Sequence, residues 1–235
     1  FDLFIKEVRK EMTVKCGQKC TAVRRIFVPK NQIEAVQDGL MAALSKAVIG
    51  DPRAEGVRMG ALVNRDQKTE VLSKIELLLQ EAESVYSHPL SLVGEGVSAD
   101  AFLGPQLLRN DTPLDAQHCH EVEAFGPVAT LMPYESLDEA IALANKGKGS
   151  LCCSLVSHNA EEARRFVGGA ATMHGRILVL DRECAKESTG HGSPLPLLTH
   201  GGPGRAGGGE EMGGVRGVHH YMQRTAVQGS PTMLT

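Results

Sequence analysis

Two cysteines four residues apart are the first groups along the chain that could do chemistry. They are Cys16 and Cys20, in the stretch EMTVKCGQKCTAVRR of residues 11–25. Gly17 permits a tight turn before Cys20, and backbone N–H groups beyond such a turn can hold an oxyanion. Lys19 and the arginines that follow favour a thiolate at neutral pH. Cys20 is therefore a candidate nucleophile and Cys16 a weaker one, with burial as a small apolar side chain as the alternative for both.

The other cysteines do not form a disulfide or metal pattern. A disulfide scaffold packs its cysteines more densely than six in 235 residues. Cys119 stands between His118 and His120, and adjacent side chains of an extended segment point to opposite faces. Such a trio cannot converge on one tetrahedral ion, so we expect no metal site. Cys152 and Cys153 lie in a strand pattern and are expected to be core residues.

Charge and hydropathy exclude several classes of protein. A formal net charge of -3 creates no basic field for nucleic acid. No apolar run reaches the length of about 18 residues that suggests a membrane span. The sequence shows no secretory signal, so we expect reduced thiols and a cytoplasmic protein. The chain opens at Phe1 inside a helical pattern, and we expect it to be a piece of a longer polypeptide.

Helical and strand patterns alternate along the chain. Apolar spacing predicts helices over 2–13, 31–50, 66–84, 136–146 and 159–171. Short β-branched runs predict strands over 24–29, 102–108, 128–134, 150–157 and 175–180. Asn31, Ser136 and Asn159 are the expected N-caps of three of the helices. Strands that alternate with helices of this length predict an α/β fold with a largely parallel sheet.

The composition changes after this alternating region. Residues 191–217 hold ten glycines and three prolines among hydrophobic residues and histidines. Glycines allow close approach of the backbone to a ligand, which predicts an active-site loop; a solvated linker is the alternative. Residues 217–229 are polar and rich in β-formers, which predicts an exposed strand that pairs with another subunit.

Three motifs in this order resemble those of the aldehyde dehydrogenase superfamily. GQKCTA at 17–22 resembles the family's nucleophile segment, GQ-x-C followed by a small residue. EAFGPV at 123–128 resembles its E-x-FGPV motif. HGGPGRAGGGEEMGG at 200–214 resembles its C-terminal glycine-rich stretch, with Ala206 where the family has Ser.

The resemblance implies a role for four residues. Cys20 would be the catalytic nucleophile. Glu123 would hold the nicotinamide ribose hydroxyls and Phe125 would pack beside the nicotinamide, so the implied cofactor is NADP or NAD. His200 stands where many family members carry an aromatic residue of the aldehyde tunnel; a hydrogen-bonded loop histidine is the alternative.

The resemblance also implies an architecture. It is an aldehyde-dehydrogenase-like catalytic domain over 1–214, three-layered α/β with a largely parallel sheet. A C-terminal oligomerisation strand and the start of a linker would occupy 215–235, so a homo-oligomer is expected. The cofactor-binding domain, the oxyanion Asn and the general base would lie upstream of Phe1, and we expect the chain alone to be inactive or nearly so.

Within the superfamily, the chain is similar to semialdehyde dehydrogenases of phenylacetate breakdown that are fused to a hydratase-like domain. This implies a CoA-linked semialdehyde as the small-molecule substrate. Related dehydrogenases of the benzoyl-CoA pathway are an alternative. Two other classes stay open: a non-catalytic assembly module, and a thiol enzyme that uses Cys20 without a nicotinamide cofactor.

Overall fold

The computed structural model describes residues 1–193, 195, 198, 200–208, 214–223 and 225–234. The strands in these residues are β1 Arg25–Pro29, β2 Ile49–Gly50, β3 Glu83–Ser87, β4 Leu92–Val93, β5 Gln106–Arg109, β6 Val128–Tyr134, β7 Ser150–Val156 and β8 His174–Leu180. The helices are α1 Asp2–Thr13, α2 Ile33–Leu44, α3 Arg65–Leu78, α4 His118–Glu121, α5 Leu137–Asn145, α6 Ala160–Ala170, α7 Val215–His220 and α8 Pro231–Leu234. None of these helices combines the length and the apolar character needed to cross a membrane.

The sheets are mostly parallel. The main sheet has the order β1-β6-β5-β3, in which β6 is parallel to both β1 and β5, and β3 is antiparallel to β5. Two further parallel pairs are β7 with β8 and β2 with β4. The predicted α/β class with a largely parallel sheet is confirmed.

Helices cover both faces of the main sheet, because its central strands are apolar on both sides. Leu107 and Leu131 pack in one buried cluster with α1 and α2. Leu108 and Met132 point the other way, into a cluster with α3. A smaller cluster joins α5 and α6 to β7, with Phe166 at its centre. The arrangement has three layers, as the resemblance implied, and both-sided burial is typical of parallel sheets.

Some element boundaries differ from those that the sequence predicts. The helix expected over 31–50 is shorter: a 3-10 turn occupies Lys30–Gln32, so Asn31 is not its cap, and the chain re-enters a strand at Ile49–Gly50. The helix expected over 66–84 ends at Leu78, and a turn leads from it to β3, which begins at Glu83. In both cases the apolar periodicity continues past the last residue of the helix, but the chain there leaves the helix and goes on to pair as a strand.

The strand predicted over 217–229 is wrong for this structure. Val215–His220 form a helix, and the described residues between 221 and 230 contain no strand. A helix satisfies its own backbone hydrogen bonds, whereas a strand needs a neighbour. None of the described sheets reaches this segment, and its apolar side chains, such as Tyr221, are exposed. The oligomerisation role of the segment stays a prediction.

Candidate functional site

The two main sequence motifs meet at one edge of the main sheet. Cys20 precedes β1, and Glu123 and Phe125 precede β6. Because β1 and β6 are parallel neighbours, with Arg25 opposite Thr130, both motifs lie at the amino ends of their strands. Cys20 and Glu123 line the same cavity, which has a volume of about 480 Å³. The structure thus brings together two of the residues singled out from the sequence.

The turn before Cys20 places the thiols of Cys16 and Cys20 in different environments, one buried and one exposed. Lys15, Cys16 and Gly17 all adopt left-handed backbone conformations, with φ of 53°, 55° and 68°. This turn buries Cys16, whose thiol donates to the carbonyl of Leu103 at 3.7 Å. Burial raises the pKa of Cys16 to about 12, so it stays a thiol at neutral pH. Cys20 is exposed, and it is the thiol of the pair that a substrate can reach.

Glycines bring the two motifs into backbone contact. A Cβ added at Gly17 would overlap the carbonyl oxygen of Gly126 and would lie 2.9 Å from the nitrogen of Pro127. Gly126 in turn leaves room for Val71 of α3, since a Cβ there would lie 2.8 Å from both methyl groups of that side chain. The cysteine turn and the FGPV segment therefore fit against each other only without side chains at these positions.

Two glutamine side chains hold the backbone of these motifs. The amide oxygen of Gln18 accepts from the N–H of Val63 at 2.9 Å, and its NH₂ group donates to Lys15 at 3.0 Å. Gln67, in the first turn of α3, donates to the carbonyl of Phe125 at 3.1 Å. Phe125 has a left-handed φ of 54°, which is uncommon for an aromatic residue. Sequence reasoning missed Gln67, because its partner lies 58 residues away.

Lys19, which was expected to favour the thiolate of Cys20, forms an ion pair with a carboxylate. Lys19 binds Glu11 of α1 at 2.5 Å, and both side chains are largely buried. The positive charge of Lys19 is therefore paired with the carboxylate of Glu11. The effect of Lys19 on the Cys20 thiol stays a prediction.

Two arginines flank the exposed Glu123. Arg24 donates to the carbonyl of Val122 at 3.2 Å, and Arg205 donates to that of Glu121 at 2.7 Å. Burial lowers the pKa of Arg24, while the charge of Glu123 raises it and that of Arg205 lowers it. Glu123 thus stands as an exposed carboxylate near two guanidinium groups, one from the cysteine stretch and one from the glycine-rich motif.

The glycine-rich segment closes the same edge of the structure. A Cβ at Gly175, in β8, would overlap the carbonyl of Gly201, and one at Gly202 would lie 2.6 Å from the carbonyl of Ser150, in β7. Residues 201–206 therefore lie directly on the amino ends of these strands, and Ala206 and Arg205 reach the cavity. The part of the motif at 209–213 lies outside the described residues.

His200 is buried, but the cavity that contains Cys20 is lined by His191 and not by His200. The Nδ1 atom of His191 lies 2.6 Å from the hydroxyl of Ser154. Burial lowers the pKa of His191, so the ring is neutral at pH 7. The pocket role of His200 stays a prediction, and the histidines that line the cavity are His174 and His191.

The His118–His120 stretch makes structural contacts. Burial raises the pKa of Cys119 to about 11. The ring of His120 lies 2.8 Å from the carbonyl of Pro113 and 3.1 Å from Arg25. In the portion of the chain that the structure describes, no group of three or more His, Cys, Asp or Glu side chains is placed to hold a metal ion.

Comparison with known proteins identifies the family to which the chain belongs. The profile of the aldehyde dehydrogenase family matches residues 1–227. The chain belongs to the aldehyde dehydrogenase family. The family expected from the three motifs is confirmed.

Two curated relatives are similar in sequence to this aldehyde dehydrogenase chain. It is 54% identical over 178 residues to Protein MaoC of Klebsiella aerogenes, a match that covers 75% of this chain and 52% of the relative. It is 44% identical over 207 residues to 3,4-dehydroadipyl-CoA semialdehyde dehydrogenase of Aromatoleum evansii, covering 86% of this chain and 40% of the relative. The chain thus spans about half the length of the curated relatives that it matches.

Solved aldehyde dehydrogenases share the fold. A betaine aldehyde dehydrogenase mutant from Staphylococcus aureus, solved with NAD⁺, matches with a TM-score of 0.79 and 20% identity, over 94% of this chain and 42% of that one. A succinic semialdehyde dehydrogenase from Streptococcus pyogenes, solved with NADP⁺, matches with a TM-score of 0.72 and 24% identity, over 90% and 44% of the two chains. These structural matches confirm that the chain has the α/β fold expected for an aldehyde dehydrogenase.

Proposed function

We propose that this chain is the catalytic part of an NAD(P)-dependent dehydrogenase that oxidises a CoA-linked semialdehyde, with Cys20 as the nucleophile. The observation that carries the proposal is the shared cavity of Cys20 and Glu123 at the amino edge of the sheet. The backbone contact between Gly17 and Gly126 gives the two motifs a defined separation.

The chemistry follows from an exposed thiol at a cavity that Glu123 also lines. The Cys20 thiolate attacks the aldehyde carbonyl, and the thiohemiacetal carries an oxyanion that backbone N–H groups can stabilise. A nicotinamide cofactor supplies the acceptor for the hydride. The Cys20 thioester that remains is hydrolysed by water, which releases the acid and restores the thiol.

The residues at the site suit a nicotinamide nucleoside. Glu123 is exposed, and a carboxylate accepts hydrogen bonds from ribose hydroxyls. Phe125 exposes 40% of its surface next to it, which leaves a ring face available for an aromatic ligand. Gln67 holds the Phe125 carbonyl and so positions this ring.

The proposed substrate class is supported by one of the curated relatives. The Aromatoleum evansii relative is named as a CoA-semialdehyde dehydrogenase. The similarity to semialdehyde dehydrogenases of phenylacetate breakdown favours a semialdehyde of that kind, and a dehydroadipyl-CoA semialdehyde is the alternative. Both belong to aromatic-acid degradation and carry a reactive aldehyde on a CoA thioester.

Assembly of the enzyme is proposed to involve the segment after Gly214. The described part of this tail exposes Val215, Val218, Tyr221 and Met222, and neighbouring exposed apolar side chains mark interaction surfaces. We propose residues 1–214 as the catalytic domain and 215–235 as the segment that joins subunits in a cytoplasmic homo-oligomer.

Substitution of the two neighbouring cysteines tests the nucleophile. In a longer protein that carries this chain, Cys20→Ala should abolish aldehyde oxidation, followed as nicotinamide absorbance with a CoA-linked semialdehyde. Cys16→Ala is the matched control and should keep substantial turnover, because that thiol is buried and protonated. Full turnover in the Cys20→Ala protein would instead favour an assembly module whose activity resides elsewhere.

The role of Glu123 is tested separately. Glu123→Gln should slow hydride transfer by loosening the nicotinamide ribose, while the covalent attack by Cys20 persists. Single-turnover measurements separate the two steps. A wild-type rate of hydride transfer would rule out this role for Glu123.

A further inference from the structure

Arg176 of β8 is an arginine that none of the three motifs includes. It lies opposite Cys152 in the parallel pair of β7 and β8, and its guanidinium donates to the thiol of Cys152 at 3.1 Å. Cys152 lines the cavity that contains Cys20, whereas Arg176 lies outside that lining. The guanidinium therefore stands behind a wall of the site and reaches the site through other residues.

The same guanidinium holds the backbone of residues 191–193. One of its terminal nitrogens donates to the carbonyl of His191 at 2.8 Å, and the other donates to the carbonyl of Ser193. Residues 191–193 belong to no helix or strand, so their backbone groups depend on partners of this kind. Arginine presents its donors in a rigid planar fork, which suits two carbonyls at once.

This segment packs on the residue that follows the nucleophile. A Cβ added at Gly192 would lie 2.3 Å from the hydroxyl oxygen of Thr21 and 3.1 Å from its Cβ. Rotation of the threonine side chain would relieve the first contact but not the second. Thr21 is buried, and the backbone at Gly192 therefore limits where the chain beside Cys20 can lie.

His191 makes a second link to the same residue. Its Nδ1 atom lies 2.6 Å from the hydroxyl of Ser154. Burial lowers the pKa of His191, and a hydrogen bond with the backbone of Thr21 opposes this by raising it. A neutral imidazole has one nitrogen that accepts and one that donates, so the ring can bind both partners. The segment held by Arg176 thus contacts Thr21 at two points.

We propose that Arg176 is a positioning residue for Cys20, which acts through the segment 191–193 and Thr21. The inference rests on the proposed function, in which Cys20 is the nucleophile. Lys19, the neighbour on the other side of Cys20, is held by Glu11 at 2.5 Å. The exposed thiol is therefore fixed from both sides, and a nucleophile that is held in the attacking geometry reacts faster.

Amide exchange in the intact chain tests the route of contacts. The N–H groups of Lys19 and Ala22 donate to carbonyls of the cysteine turn at 2.9 and 3.0 Å. In Arg176→Met they should exchange about threefold faster or more, because the turn loses its support, while the amides of β5 keep their rates. Arg182→Met, at an exposed position just after β8, is the matched control and should change none of these rates.

Turnover in a longer protein that carries this chain tests the effect on the reaction. Arg176→Met should lower kcat for aldehyde oxidation by about tenfold or more and leave the KM for the nicotinamide cofactor unchanged, because the route of contacts ends at Thr21 and not at Glu123. Arg176→Lys should give intermediate values, since one ammonium group does not replace the planar fork. It decides the test if Arg176→Met does not fold.

A second substitution tests whether the two sites act in series. Gly192→Ala displaces Thr21 directly, so adding Arg176→Met to it should lower kcat by less than the single substitution does. Independent effects of the two changes would overturn the proposal, as would wild-type exchange or wild-type kcat in the Arg176 variants. Absence of aldehyde oxidation in the unsubstituted longer protein would refute the proposed function instead, and the exchange rates would still decide whether Arg176 supports the turn.

Discussion

The contact between Gly17 and Gly126 should be sensitive to a single methyl group. Gly17→Ala adds a Cβ that overlaps the carbonyl of Gly126 and would lie 2.5 Å from its carbonyl carbon. These are backbone atoms, which cannot rotate away. The substitution also forces alanine into a left-handed conformation, since φ is 68°.

Gly96 provides a closely matched control. Its φ is 67°, and a Cβ there would meet no atom within 4 Å. Gly96→Ala should therefore cost only the conformational penalty, about 1–2 kcal/mol. Gly17→Ala should cost that amount and a further overpacking penalty of about 1–3 kcal/mol.

Urea unfolding followed by far-ultraviolet circular dichroism measures both variants, since the chain contains no tryptophan. We expect a lower midpoint for Gly17→Ala than for Gly96→Ala, with the same slope. We also expect slower alkylation at Cys20 or a change in its pH dependence, because the turn must move. Equal loss of stability in the two variants would refute the proposed backbone contact.

Three further predictions concern other parts of the molecule. Cys16 should lower the free energy of unfolding by about 1.4 kcal/mol per pH unit between its ordinary pKa, 9.0, and its folded value of about 12, because the unfolded thiol ionises first. Cys16→Ala should make the slope shallower by this amount in pH-dependent urea titrations, while the buried thiols of Cys119 and Cys153, whose pKa values are raised to about 11, keep theirs. Gln67→Ala should cost about 1 kcal/mol and raise the KM for the nicotinamide cofactor, whereas Gln80→Ala, at an exposed site, should change neither. A longer protein that carries this chain and ends at Gly214 should lose its oligomeric state in size-exclusion chromatography, and an unchanged elution would contradict a role of residues 217–229 in assembly.

Local patterns in the sequence predicted much of the fold. Helix α1 and strand β6 begin and end where apolar spacing placed them. The capping serine at Ser136 accepts from Glu139, and Asn159 accepts from two N–H groups, as expected. These features depend on neighbours within four residues, which a single sequence contains.

Features that depend on distant partners were not predicted. Strands β2 and β4 have two residues each, and they exist only because they pair with each other. The tail segment lacks a described partner sheet, so its β-forming composition did not produce a strand. At the site, the motif residues could be named, but the pairing of Lys19 with Glu11 requires α1 to pack beside the cysteine turn.

The left-handed conformation of Lys15 and Cys16 has a consequence for the order of folding during synthesis. Two non-glycine residues do not hold this conformation on their own, since each is disfavoured there by about 1–2 kcal/mol. Two contacts that support the turn come from distant residues: the carbonyl of Leu103, which accepts from Cys16, and the backbone of Gly126, which leaves the ribosome more than a hundred residues later. The nucleophile turn therefore gains its full set of contacts only after β6 has been made and has paired with β1, so that Cys20 reaches its final environment late in folding.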